Sequence, residues 1–281
     1  MSLPVIKKKR RIVIDAANLK IKTTENQPPL VQQARYEDLI PENTILSDSE
    51  MRNIFDAKCR DYKIKFDERL YKRFKNSQNK KMQYKIFEME ASAVGPKTAD
   101  VITQILQNHL HFKVICLSGN SLFDDGALSI AKFIAQNKNI ISVDVSACRI
   151  RDFGSAAIFK AMSINRTVIF LNIGSTTCVS RNSLGQLAIE ELKNMLMTNT
   201  VLYELDLSMS EISCEMMPLF SQGLSFNTTL QVLNMADNNI RAKGAVKLLH
   251  AIIKSNIKEL NLSNNHIDDN VSIQLKSFLE K

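Results

Sequence analysis

The stretch Ile257–Asn270, IKELNLSNNHIDDN, decides the fold. Apolar residues occupy its first, fourth, sixth and eleventh positions (Ile257, Leu260, Leu262, Ile267), and Asn265 occupies the ninth. One copy of this frame is compatible with a strand and turn of an ordinary domain. Several copies at a constant spacing instead indicate a solenoid, in which each repeat packs only on its neighbours.

Six further copies of the frame precede it, and the spacings between successive starts are 28, 28, 28, 34, 28 and 27 residues. They start at Tyr84, Phe112, Ile140, Val168, Leu202 and Leu230. Within each copy the apolar period changes from two to about 3.6, which predicts a strand followed by a helix. The copy at Val168 contains six additional residues within GSTTCVSRNSLG, for which we predict a loop at one rim, and it has Thr176 at the ninth position.

Small and polar residues recur where the predicted helices begin and end. Gly126, Gly154 and Gly244 follow the ninth position by six residues, where the chain bends into the helix and a Cβ would crowd. An asparagine stands three residues before several of the next frames, and its tolerance of left-handed backbone predicts that it ends each helix in that conformation. These residues are Asn137, Asn165, Asn199 and Asn227.

This pattern resembles the leucine-rich-repeat proteins of the ribonuclease-inhibitor-like type. The resemblance covers residues 84–281 and implies an α/β horseshoe of about seven strand–helix repeats. Proteins of this kind with a basic helical lead-in serve in cytoskeletal or ciliary assemblies, and the resemblance implies such a role here. The fold alone does not assign a function.

The N-terminal third is predicted to form two further segments. Residues 1–45 contain four prolines and no sustained periodicity, so we expect an extended or disordered basic arm. Residues 46–83 are predicted to form a helical cap on the first repeat, since a solenoid needs its end covered. The capping box at Ser47 opens its first helix. Apolar stripes are expected on both helices: Met51, Ile54, Phe55, Cys59 and Tyr62 on the first, and Phe66, Leu70 and Phe74 on the second.

All of the net charge of +8 belongs to this N-terminal part. Residues 1–83 contain 19 Lys and Arg against 11 Asp and Glu, whereas the rest of the chain contains 18 of each. Basic side chains there are predicted to contact an acidic protein surface such as tubulin. Nucleic acid is disfavoured because the nearby aromatic residues fall on the apolar stripe, and a nuclear-localisation signal is the alternative interpretation of the arm. The candidate residues are Lys7, Lys8, Lys9, Arg10 and Arg11 in the arm, and Arg69, Lys72 and Arg73 in the cap.

The repeat frame also predicts which strand residues face the concave side of the horseshoe. Of these residues, six are acidic and none is Lys or Arg, which predicts a surface for a basic segment of a partner protein. The alternative is an ordinary solvated sheet face. The acidic residues are Glu88, Glu90, Asp144, Glu204, Asp206 and Glu259, and the predicted apolar anchors are Phe170 and Val232.

No pattern in the sequence indicates catalysis, a cofactor or a metal site. The five cysteines lack CxxC spacing, which argues for a reducing compartment. His109 occupies the position that asparagine holds in other repeats, Cys148 replaces another turn asparagine, and the pairs Asp124–Asp125 and Asp268–Asp269 match helix starts. We therefore expect structural roles for all of them.

The sequence thus predicts a non-enzymatic interaction scaffold with protein partners and no small-molecule substrate. We expect it in the cytoplasm, in a cytoskeletal or ciliary axonemal assembly, because neither a membrane span nor a secretory signal is recognisable. The alternatives are a regulator of a small GTPase, similar to Ran-type activators, and a nuclear adaptor. A tropomodulin-type actin cap would require amphipathic helices that residues 1–45 do not show.

Overall fold

A computed structural model describes residues 46–81, 85–176 and 180–267, together with the backbone of two strands at residues 12–15 and 18–23. The predictions for Lys7 to Arg11, for Cys178 and for the final helix with Asp268 and Asp269 lie outside these residues. Among the described helices, none is both long and apolar enough to cross a lipid bilayer.

The repeats form a leucine-rich-repeat solenoid with an N-terminal helical cap, as predicted. Each strand pairs in parallel with the strand of the next repeat, and each helix packs on the next helix along one side of the sheet. The parallel strands are β3 (Ile86–Glu88), β4 (Val114–Cys116), β5 (Ser142–Asp144), β6 (Phe170–Asn172), β7 (Glu204–Asp206), β8 (Val232–Asn234) and β9 (Glu259–Asn261). The repeat helices are α3 (Pro96–Leu106), α4 (Phe123–Gln136), α5 (Asp152–Ile164), α6 (Gln186–Thr198), α7 (Met217–Phe226) and α8 (Arg241–Lys254).

The central residue of every repeat strand is buried between the sheet and the helices. These residues are Phe87, Ile115, Val143, Leu171, Leu205, Leu233 and Leu260, each of which is at most 3% exposed. Their positions agree with the apolar fourth position of the frame. Because side chains alternate along a strand, the two flanking residues of each strand face the concave side.

Buried asparagine side chains connect the turns that follow the strands. Asn182 is fully buried, accepts hydrogen bonds from the backbone N–H groups of Cys148 and Ile150 at 2.9 Å, and donates to three carbonyl groups. Asn120, Asn238 and Asn265 make the same kind of contacts in other repeats. The prediction that Thr176 takes this asparagine position in its repeat was wrong. The six additional residues of the repeat lie before Asn182, and Asn182 takes the position instead.

A second asparagine ladder lies where the helices end. The Asn165 side-chain amide donates hydrogen bonds to the carbonyl groups of Ile134 and Asn137 in the previous repeat. Its Oδ1 atom accepts hydrogen bonds from the backbone N–H groups of Thr167 and Val168. The prediction of left-handed backbone here was wrong. Asn137, Asn165, Asn199 and Asn227 are all extended, with φ between −68° and −79°, because the side chain itself closes the turn.

Aspartates connect successive helices at their N-terminal ends. Asp152, in the first turn of α5, accepts hydrogen bonds from the N–H groups of Gly185 and Ala188 at the start of α6, at 3.0 and 2.7 Å. This carboxylate lies so close that a Cβ on Gly185 would be 2.6 Å from it. Asp124 likewise accepts from Arg151 at the start of α5. Asp124, which was predicted at a helix start, and Asp152, which was not, therefore also cap the helix of the following repeat.

The cap consists of two helices, α1 (Asp48–Asp61) and α2 (Glu68–Lys81), and the predicted capping box at Ser47 and Glu50 is present. The predicted apolar stripes were wrong at two positions. Tyr62 is 45% exposed and Leu70 is 47% exposed, whereas Tyr71 is buried and donates a hydrogen bond to Asp48 at 2.8 Å. Tyr71 takes the place expected for Leu70 and packs with Phe66 and Phe74 in the aromatic cluster around Phe55.

Two strands lie within the segment that was expected to be an extended or disordered arm. β1 (Ile12–Asp15) and β2 (Asn18–Thr23) pair antiparallel, and β2 also pairs antiparallel with β9. The sheet order is therefore β1-β2-β9-β8-β7-β6-β5-β4-β3. Neither strand was predicted from the sequence.

Candidate protein-binding site on the concave face

The parallel register arranges the concave side chains in rows that run across the sheet. One row contains Ile86, Val114, Ser142, Phe170, Glu204, Val232 and Glu259, and the next contains Glu88, Cys116, Asp144, Asn172, Asp206, Asn234 and Asn261. Adjacent members of a row are about 4.8 Å apart, the spacing of neighbouring strands. Glu90 is exposed two residues beyond the end of β3. All eight residues predicted for the concave face are therefore on one surface.

The acidic residues of this surface form two groups. The N-terminal acidic group is Glu88, Glu90 and Asp144, and the C-terminal acidic group is Glu204, Asp206 and Glu259. Strand β6 lies between them and contributes Phe170, Asn172 and then Gly174, with no charge. A partner crossing the concave face would meet negative charge, an aromatic ring and negative charge in that order.

Two of the carboxylates are held in fixed positions. Asp206 accepts hydrogen bonds from the N–H and the hydroxyl of Ser208, at 2.8 and 2.6 Å, and from the side-chain amide of Asn234 at 2.7 Å. Asp144 has the same arrangement with Ser146 and Asn172. These donors are neutral, so they orient the carboxylates without cancelling their charge.

Burial and the negative charge of the concave face together raise the pKa of two groups on it. The pKa of Glu204 is raised, first because the surrounding wall partly removes it from water and then because Asp206 and Glu259 repel its charge. Burial, Glu259 and Glu204 raise the pKa of Tyr203. Among the residues that the structure describes, no Lys or Arg lies within 4 Å of the carboxylates of Glu204, Asp206 or Glu259.

A shallow groove of about 400 Å³ crosses the middle of the face. It runs from Val114 across β5 and β6 to Glu204 and Asp206, and Phe170 and Ile141 contribute apolar walls. Tyr203 extends this apolar part, since its ring lies 6.1 Å from the ring of Phe170 at an angle of 73°. Ile141 and Tyr203 were not predicted from the sequence to line this face. Each precedes a strand by one residue, and alternation along a strand selects only residues within the strand.

The basic residues of the cap divide into two kinds. Arg52 lies over the rings of Phe66 and Tyr71 and forms an ion pair with Glu68. Lys75 forms an ion pair with Asp48 at 2.5 Å. The Nζ atom of Lys58 lies 5.4 Å from the ring centroid of Phe74. These three side chains support the cap itself. Arg69, Lys72 and Arg73 are exposed on the outer side of α2, and in the part of the chain that the structure describes no carboxylate lies within 4 Å of them.

The residues that could suggest catalysis have structural surroundings. The Nε2 atom of His109 is 2.7 Å from Glu50 Oε1, and this contact joins the first repeat to the cap. Burial and the nearby carboxylates of Asp144, Glu90 and Glu88 raise the pKa of the Cys116 thiol to about 11, so it is protonated at neutral pH and is a poor nucleophile. Within the described ranges, no group of three or more His, Cys, Asp or Glu is arranged to hold a metal ion.

Comparison with known proteins supports the repeat assignment. A family model described as Leucine Rich repeat matches residues 226–249 and 254–270. No curated protein sequence matches the chain. Two solved structures are similar to it. One is leiomodin-1 actin-binding site 2, which is 16% identical and has a TM-score of 0.40, and the match covers 64% of this chain and 85% of that chain. The other is the tropomodulin C-terminal domain of Caenorhabditis elegans, which is 12% identical and has a TM-score of 0.45, and the match covers 56% of this chain and 92% of that chain.

Proposed function

We propose that this leucine-rich-repeat protein is a non-enzymatic interaction scaffold whose concave face binds a basic segment of a partner protein. The observation that carries the proposal is the C-terminal acidic group, since among the described residues no Lys or Arg lies within 4 Å of its three carboxylates. Burial raises the pKa of Glu204, and repulsion by Asp206 and Glu259 raises it further. A cationic segment would lower this electrostatic cost, and charge complementarity of this kind favours specificity and fast association.

The geometry supports a particular pattern in the partner. Asp144 and Asp206 are two strands apart, about 10 Å, with Phe170 on the strand between them. A segment with basic residues on both sides of an apolar residue matches this order. Phe170 and Val232 are the apolar anchors, and the carboxylates bind the flanking guanidinium or ammonium groups.

The test uses a fluorescein-labelled heptapeptide with two arginines at each end and a central leucine between two serines. We expect the variant Glu204→Lys, Asp206→Lys, Glu259→Lys to bind it at least tenfold more weakly than the wild type in fluorescence anisotropy. The matched control is Glu190→Lys, Glu191→Lys, Glu211→Lys, which changes the net charge equally but lies on or next to the helices. Equal weakening by both variants would show that only net charge matters, and this result would refute the proposal.

The apolar part of the site has its own control ligand. Replacing the central leucine of the peptide by serine should weaken binding to the wild type about 5- to 30-fold, since partly burying such a side chain is worth about 1–2 kcal/mol. The same replacement should have little effect on binding to a Phe170→Ala variant. If the leucine contributes equally in both proteins, Phe170 is not the anchor.

The exposed bases of α2 support a second surface, for an acidic protein partner. Tubulin is the specific candidate, and the placement in a cytoskeletal or ciliary axonemal assembly is part of this proposal. The variant Arg69→Glu, Lys72→Glu, Arg73→Glu should reduce co-sedimentation with microtubules several-fold at low salt. Pelleting with actin filaments and stimulation of GTP hydrolysis by a small GTPase are the alternative outcomes, and either of them without microtubule binding would replace the tubulin proposal.

A further inference from the structure

Strand β9 is the last of the described parallel strands, and its side away from β8 offers a place for another strand. The N–H of Glu259 donates to the carbonyl of Gln231 in the previous repeat, at 2.9 Å, and the carbonyl of Asn261 accepts from Met235 at 2.9 Å. Because alternate residues of a strand direct their backbone groups to opposite sides, the N–H and C=O of Leu260 face away from the solenoid. Such an open edge can be extended by any chain in a strand conformation.

In this protein the edge is occupied by the chain itself. β2 pairs antiparallel with β9, with Ile21 opposite Leu260 and Lys20 opposite Asn261. The outward backbone groups of Leu260 are therefore the groups that β2 can satisfy. Continuing the antiparallel register by one residue brings Lys22 opposite Glu259, a member of the C-terminal acidic group.

The sequence of β2 suits this position. It reads NLKIKT, in which basic residues alternate with apolar ones. The register pairs Lys20 with Asn261, which is in a concave row, and Ile21 with Leu260, which is in the core. The alternation of β2 therefore matches that of β9 in register, with a basic residue opposite a concave-facing position and an apolar residue opposite a core position.

The length of the chain permits this arrangement. Residues 24–45 connect β2 to the cap, which packs on the first repeat through α1 and α3. The sheet from β3 to β2 spans seven strand spacings, about 34 Å, whereas the 22 connecting residues can reach about 70–80 Å when extended. The connection is therefore long enough without requiring an extended path, and a tethered strand has a high local concentration at β9.

We propose that the outer edge of β9 is a strand-docking site for an extended peptide in which basic and apolar residues alternate. The chain's own Asn18–Thr23 fills the site in cis, and a partner segment of the same pattern binds there in trans when the cis strand is withdrawn. Backbone hydrogen bonds to Leu260 provide the affinity and the alternation of side chains provides the specificity. This inference does not depend on binding of a partner across the concave groove.

The test measures hydrogen exchange of the Leu260 amide in full-length protein labelled with ¹⁵N-leucine. In the wild type this amide should be protected. In Ile21→Pro, which removes the donor opposite Leu260, it should exchange at least tenfold faster, whereas Ile21→Val should behave as the wild type. The amide of Leu233 lies between two repeat strands and serves as the internal control for the fold.

The second part of the test adds the peptide in trans. A synthetic peptide of residues 12–23 should restore protection of Leu260 in the Ile21→Pro protein, and the same peptide N-methylated at Ile21 should not. Equal exchange of Leu260 in wild type and Ile21→Pro would overturn occupation in cis. Failure of the unmodified peptide to restore protection, or equal action of both peptides, would overturn the docking site.

Discussion

Replacing Asn182 by alanine tests the repeat architecture at the position where the sequence was misleading. Asn182 lies after the additional residues of its repeat, is fully buried and takes part in five hydrogen bonds between 2.9 and 3.1 Å to backbone groups of two repeats. The alanine variant removes all of them. Two of the five hydrogen bonds come from buried backbone donors, the N–H groups of Cys148 and Ile150.

The magnitude follows from these two donors. Leaving one buried donor without a partner costs about 1–3 kcal/mol, so two should cost about 2–6 kcal/mol, before any contribution from the carbonyl groups. A typical domain is stable by about 5–15 kcal/mol. Asn182→Ala should therefore remove a large part of the free energy of unfolding, and we expect a loss of about 4 kcal/mol.

Urea unfolding followed by circular dichroism measures this loss, with Thr176→Ala as the matched control. Thr176 occupies the ninth position counted from Val168 but is exposed, so its replacement should cost much less than that of the buried Asn182, at most about 1 kcal/mol. The reasoning is refuted if Asn182→Ala loses less than 1 kcal/mol, or if Thr176→Ala is the more damaging change.

Three further changes test other contacts. Gly185→Ala should lower the free energy of unfolding by about 2–3 kcal/mol, because the added Cβ would displace Asp152 from the start of α6. In a double-mutant cycle this cost should largely disappear when Asp152 is also replaced by alanine. Full additivity of the two changes would contradict the capping contact. Glu50→Ala should cost about 1–2 kcal/mol at pH 7 through loss of the Ser47 and His109 contacts. Although burial opposes it, hydrogen bonds from these groups hold the pKa of Glu50 below its usual value, so the cost should shrink as the pH falls through that pKa, and a cost that does not vary with pH would contradict this origin. Glu204→Gln should raise the free energy of unfolding at pH 7, because the raised pKa of Glu204 means that its ionisation opposes folding. This gain should vanish below about pH 4.5, the ordinary pKa of the group. A gain that persists at lower pH would contradict the electrostatic explanation.

The core of the repeats could be predicted from the sequence because it depends on periodicity alone. Each strand has one buried residue between two residues that are less buried, so the apolar frame locates Leu260 and its six equivalents without ambiguity. The six acidic residues of the concave face followed from the same alternation. The contribution of these carboxylates to the raised pKa of Tyr203 and of Cys116 could not be predicted in this way, because it depends on distances between different repeats.

Other features could not be read from the frame. An insertion leaves two candidate positions for the buried asparagine, and only packing selects Asn182 over Thr176. In the cap, Leu70 and Tyr71 are both apolar enough for the helix interface, and the aromatic cluster around Phe55 decides between them. The pairing of β2 with β9 joins residues about 240 positions apart, and no local pattern encodes such a contact.

The most direct test of the concave face as a binding site is the pKa of Glu204, measured from its side-chain carboxyl ¹³C signal during a pH titration. In the free protein we expect this pKa to lie above 4.5. With saturating arginine-flanked heptapeptide it should fall, because a cation beside the carboxylate stabilises the charged form. A pKa of Glu204 that is the same with and without saturating peptide would contradict the account.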